Sequence, residues 1–126
     1  MGRYIVNIND VEAGRIPGRE IRDLINENTV GAKGVSLRIT DLLPGETSYP
    51  GHIHSDSEEV IFVLSGKGEI KIGDETFPMN PGDAIYLPAG LKHLMRNTGK
   101  EAIRLACTFT SCDMRRDLVN DESMDF

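Results

Sequence analysis

From Pro44 to Gly99 the chain is interrupted about every eight to twelve residues by turns rich in glycine and proline, which leaves room only for short strands between them. Val35 to Thr40 alternates, with Val35, Leu37 and Ile39 on one face and Ser36, Arg38 and Thr40 on the other. Val60 to Leu64 is an apolar, β-branched run stopped by Ser65-Gly66. Glu69 to Ile72, Thr76 to Met79, Ala84 to Leu87, His93 to Arg96 and Ala102 to Thr110 follow as strands. Asn80-Pro81-Gly82-Asp83 has proline and glycine where a type II turn needs them. A row of short strands with such turns predicts an all-β sandwich or barrel.

The ends of the chain carry weaker patterns. Arg3 to Ile8 reads as a first strand and residues 9–20 as a loop holding Gly14, Pro17 and Gly18. Residues 21–28 fit a helical turn as well as a strand, and among so many strands the strand is favoured; residues 29–34 form a turn. Residues 113–126 are polar and without clear period, and are expected to be a short helical turn or a frayed tail.

At 126 residues the chain suffices for one domain, with a core barrel over about 35–110 and N-terminal strands within 1–34. Fourteen basic against twenty acidic residues give a formal charge of −6, with no basic stripe. Nucleic acid is therefore not an expected partner. The longest purely aliphatic or aromatic run, Val60 to Leu64, is far short of the ~20 residues of a membrane span, and no signal-peptide stretch opens the chain. A cytoplasmic protein is expected. Cys107 and Cys112 form neither a disulfide framework nor a C-x-x-C pair.

Two of the three histidines are one residue apart. On a strand His52 and His54 would share a face about 6.6 Å apart, close enough to tilt toward one ion. Four residues then lead to Glu59, a length that suits a hairpin returning it beside the histidines. Taken alone, His52-x-His54 is equally a chance pair on a polar loop.

His93, just after Pro88-Ala89-Gly90, changes that balance. Gly45, His52, His54, Glu59 and Gly66 resemble the first motif of the cupin family, and Gly82, Pro88, Gly90, His93 and Asn97 resemble the second at every signature position. One departure is that six residues rather than five separate Gly45 from His52. The resemblance implies a small antiparallel jelly-roll (double-stranded β-helix) barrel. It also implies one divalent metal ion on His52, His54, Glu59 and His93. Such a mixed nitrogen and oxygen set suits a first-row metal (iron, manganese, nickel, cobalt or zinc) and leaves positions for a chelating substrate.

Further expectations follow for the surroundings. Ile61, Val63, Met95 and Phe109 should wall a substrate pocket, with Cys107 a small buried hydrophobe near it. Arg38 ordinarily meets solvent, but is the natural clamp for a substrate carboxylate if its face turns inward. Tyr49 and Tyr86 are further candidate acid–base groups. Asn97 is expected to secure a turn, and Glu58 could replace Glu59 only by a one-residue shift. Val60, Phe62 and Leu64 point outward and need cover, either from the N-terminal strands or from a second subunit, so a homodimer is expected. Cupins include dioxygenases, isomerases, decarboxylases and lyases. A metal-dependent enzyme acting on a small oxygen-rich molecule is favoured over a non-catalytic binding or sensor protein with a structural metal.

Overall fold

The structure, a computed structural model, describes residues 4–126. Eleven strands are β1 (Gly14–Ile16), β2 (Arg19–Ile25), β3 (Ser36–Leu42), β4 (Gly51–His54), β5 (Glu59–Ser65), β6 (Gly68–Ile72), β7 (Glu75–Met79), β8 (Ala84–Leu87), β9 (His93–Arg96), β10 (Ile103–Phe109) and β11 (Leu118–Asp121). They form two antiparallel sheets, ordered β1-β2-β3-β10-β5-β8 and β11-β4-β9-β6-β7. This is the expected all-β jelly-roll architecture.

The inner faces of both sheets meet in one apolar core that includes Leu42, Ile61, Val63, Ile70, Met79, Leu87, Met95, Ile103, Leu105 and Phe109. Each fully buried aliphatic side chain contributes about 1.5–3 kcal/mol. β5 and β10 follow the strand period: Glu59, Ile61 and Val63 alternate inward, as do Ile103, Leu105, Cys107 and Phe109. Turn chemistry fixes the connections. Gly82 has φ +90°, as the third position of a type II turn demands, and Asp83 N–H donates to Asn80 O at 3.0 Å. Gly66 has φ +84°, and a Cβ there would lie 2.6 Å from the Ala102 carbonyl oxygen. Only glycine fits.

Several sequence expectations need correction. Tyr4 to Asn7 form no strand, and a single 3-10 turn occupies Ile8–Asp10. Arg3 lies outside the described residues. The stretch read as a loop up to residue 20 contains β1 and the start of β2, folded as a hairpin about Pro17-Gly18. Residues 118–121 are neither helical nor frayed. They add β11 to the free edge of β4, pairing Leu118 with His54 and Asn120 with His52. The cause is the unpaired backbone of β4, which a polar strand can satisfy as well as an apolar one.

The hairpin from His54 to Glu59 does not form either. β4 and β5 belong to different sheets, so residues 55–58 cross from one to the other. Asp117 holds that crossing, accepting from Asp56 N–H and from Ser57 Oγ, each at 2.8 Å. In β3 the polar face turns inward: Ser36, Arg38 and Thr40 are buried on the same side as Leu42. Arg38 avoids solvent because Asp23, its cross-strand partner on β2, accepts two hydrogen bonds from it at 2.7 and 3.2 Å.

Candidate metal centre

Three strands bring the site together. β4 supplies His52 and His54, β9 supplies His93 directly opposite His52, and β5 supplies Glu59 from the facing sheet. One ligating atom from each histidine lies within 4.8 Å of the others. Ligands sharing one ion at ~2.1 Å stand about 3–4 Å apart, so small side-chain rotations complete the shell. Glu59 Oε1 is 3.3 Å from His93 Nε2 and 3.8 Å from His54 Nε2.

Backbone carbonyls set two of the rings. His52 Nδ1 sits 3.2 Å from Pro50 O and His93 Nδ1 sits 3.2 Å from Leu91 O. An Nδ1–H donating to each carbonyl leaves both Nε2 lone pairs free, the usual orientation of a metal-binding imidazole. Asp117 Oδ1 faces His54 Nδ1 at 3.7 Å, and the Phe109 ring packs edge-on to His54 at 5.0 Å between centroids. Burial, reinforced by the nearby His93, lowers the His52 pKa to about 3. Burial lowers that of His54 as well. These two rings are therefore neutral at pH 7, as ligation requires.

The donor set fits a divalent ion on a second ground. Both nitrogens of His54, Glu59 Oε1 and Asp117 Oδ1 are buried without a hydrogen-bond partner. Orphaned buried acceptors are costly and call for a missing partner. A cation bound by Glu59 Oε1 and His54 Nε2 removes that cost for those two atoms.

A cavity of about 310 Å³ adjoins His52. Its lining runs from buried His52, Arg19 and Arg38, past Ile16, Ile21, Met114 and Leu118, to solvent-exposed Tyr49 and Arg115. Of the residues singled out by sequence, His52, Arg38 and Tyr49 line this cavity. Ile61, Val63, Met95, Cys107 and Phe109 belong to the apolar core, where Phe109 touches His54 and Cys107 donates its thiol to Thr40 Oγ1 at 3.8 Å. Burial pushes the Cys107 thiol pKa up. Tyr86 is on the outer face, 57% exposed and bonded to Glu58. Asn97 secures a turn, donating to Leu42 O and Glu101 O and accepting from Gly99 N–H.

Sequence reasoning missed Arg19, Met114, Asp117, Leu118 and Asn120. All lie in stretches read as loop or tail. The one available signal was Pro17-Gly18, a two-residue turn between short runs that can close a hairpin.

The family model described as the cupin domain matches residues 38–109. The chain belongs to the cupin family. Protein SchB of Streptomyces halstedii is 32% identical over 114 residues, spanning 90% of this cupin and 82% of that protein. Polyketide synthase CurC of Streptomyces cyaneus is 32% identical over 101 residues, 80% of this chain and 65% of its own length. Among solved structures, the polyketide cyclase RemF from Streptomyces resistomycificus superposes with a TM-score of 0.76 at 28% identity, covering 92% of this chain and 83% of that one.

Proposed function

We propose that this cupin is a metal-dependent enzyme acting on a small oxygen-rich molecule of the polyketide class, with His52, His54, Glu59 and His93 holding one divalent ion. The observation that carries the reading is the convergence of three buried imidazoles on an unpartnered Glu59 oxygen beside a cavity. A metal serving only as a brace would have no use for that cavity. The likeness to RemF and CurC supports the polyketide class over other oxygen-rich molecules.

A divalent ion bound there supplies Lewis acidity, polarising a carbonyl or acidifying a phenol or enol. The protein's own residues supply the rest. Pro50 and Leu91 carbonyls hold His52 and His93 in one tautomer. Ile16, Ile21, Met114 and Leu118 make a largely apolar wall that keeps water from a bound ring. Tyr49 donates its one hydroxyl proton to Asp125, which raises its pKa, so it stays protonated at neutral pH and is not a base. Arg38, fixed and neutralised by Asp23, gives the cavity a rigid polar side.

Anaerobically purified protein should contain one divalent metal per chain by elemental analysis. Polyphenolic and β-dicarbonyl compounds should raise its melting temperature only when metal is present, and Glu59→Gln should lose metal or that response. Equal responses from metal-free protein would refute the reading. The outward strip Val60, Phe62 and Leu64 is 46, 42 and 47% exposed, because β1 and β2 extend the sheet beside β3 rather than cover β5. That strip supports a homodimer as the working form.

A further inference from the structure

Among the described residues, Arg19 is the one cation of the cavity lining that has no carboxylate partner. It projects inward from β2, 9% exposed, and its hydrogen bonds go to two backbone carbonyls: Nε to Pro17 O at 3.1 Å and Nη2 to Tyr49 O at 3.0 Å. Nη1 makes none. The other two arginines of the lining are neutralised, Arg38 by Asp23 and Arg115 by Asp113. No lining residue is acidic. Burial, together with the charge of Arg38, lowers the Arg19 pKa to about 10, which records how unfavourable the cation is there without an anion.

A buried, unpaired guanidinium is costly, and a structural role alone would be met as well by a neutral donor. Two fixed carbonyl contacts hold the fork in place, so its free edge is preorganised for a planar anion.

We infer that Arg19 is a specificity-determining residue that pairs with a carboxylate or enolate oxygen of the substrate, so that the cavity selects an anionic ligand spanning His52 and Arg19. The inference rests on the substrate reaching the metal through the same cavity. It narrows that substrate to molecules carrying an acidic group: a polyketide acid or a stabilised enolate rather than a neutral ring.

The probes are salicylate and its neutral analogue salicylamide, titrated into manganese-loaded protein by calorimetry. Wild type should bind salicylate about tenfold or more tighter than the amide, the scale of one charge-assisted hydrogen bond. Arg19→Gln should erase that preference while keeping one manganese per chain, and Arg19→Lys should retain part of it. If Arg19→Gln does not fold, the wild-type and Arg19→Lys titrations still decide. Equal affinity of wild type for the two probes overturns the inference, as does no salicylate binding at millimolar concentration, or an unchanged preference in metal-replete Arg19→Gln. Salicylate binding that persists after manganese is removed, yet is lost in Arg19→Gln, would uphold the anion clamp and refute metal-mediated recruitment.

Discussion

The two ends of the barrel interior are built from the same strands and have opposite chemistry. β3 carries Leu42 toward one end and Arg38 toward the other; β5 carries Val63 and Glu59, β9 carries Met95 and His93. In the register, Leu42 pairs with Ile103 and Arg38 with Cys107, while Glu59 pairs with Phe109. Around Ile103, Leu105, Val63 and Ile70 the side chains are apolar and essentially inaccessible. Around His52, His54, His93 and Glu59 buried polar atoms lack partners and a cavity adjoins. Inward direction is thus set by strand period, and the division of labour between stability and chemistry is set by position along each strand.

Substitutions at the two ends should separate these roles. The largest loss of stability belongs to the apolar end: Leu105→Ala should cost about 2–5 kcal/mol by chemical denaturation. The folded fraction should still bind metal at one per chain. Loss of metal from folded Leu105→Ala would show that the two ends are not separable.

At the polar end His93→Ala should abolish tight metal binding. It should also remove the metal-dependent stabilisation, about 2.7 kcal/mol when the ion is at 100 times its dissociation constant. Dialysed wild type and dialysed His93→Ala should then melt close together. A variant that keeps full metal would break the assignment of His93.

A smaller effect is expected from Asp117→Asn, since Asp117 Oδ1 faces His54 Nδ1 at 3.7 Å and acts on that ring by its charge rather than as a metal ligand. Metal affinity should fall about 10–100-fold, with stoichiometry unchanged. Competition with a chelator measures it. Undiminished affinity would leave Asp117 only its hold on residues 55–58.

The smallest effect inside the barrel should come from its outside. Phe62→Asp should convert a dimer to a monomer by light scattering while leaving metal content unchanged. A wild-type monomer at micromolar concentration would remove the dimer and leave the exposed strip unexplained.

The inward direction of β5 was legible in the sequence because Ile61 and Val63 share strand parity with Glu59, which leaves Val60, Phe62 and Leu64 to point outward. The histidines were legible through their motif spacing. What escaped was whatever depends on pairing between distant strands. Arg38 looked like a surface residue until Asp23 was seen across from it. Asp117, in a tail without period, acquires meaning only once β11 lies against β4. Glu59 was expected back on a neighbouring strand, and the geometry instead delivers it from the opposite sheet. Local sequence carries no term for which of two sheets a strand joins.

X-ray absorption spectroscopy at the metal edge of manganese-loaded wild type tests the polar end most directly. A first shell of three imidazole nitrogens, one carboxylate oxygen and exchangeable water oxygens, one of which salicylate displaces, is the predicted result. A shell made wholly of protein ligands and unchanged by added salicylate would contradict an open, substrate-binding centre and make the ion a brace.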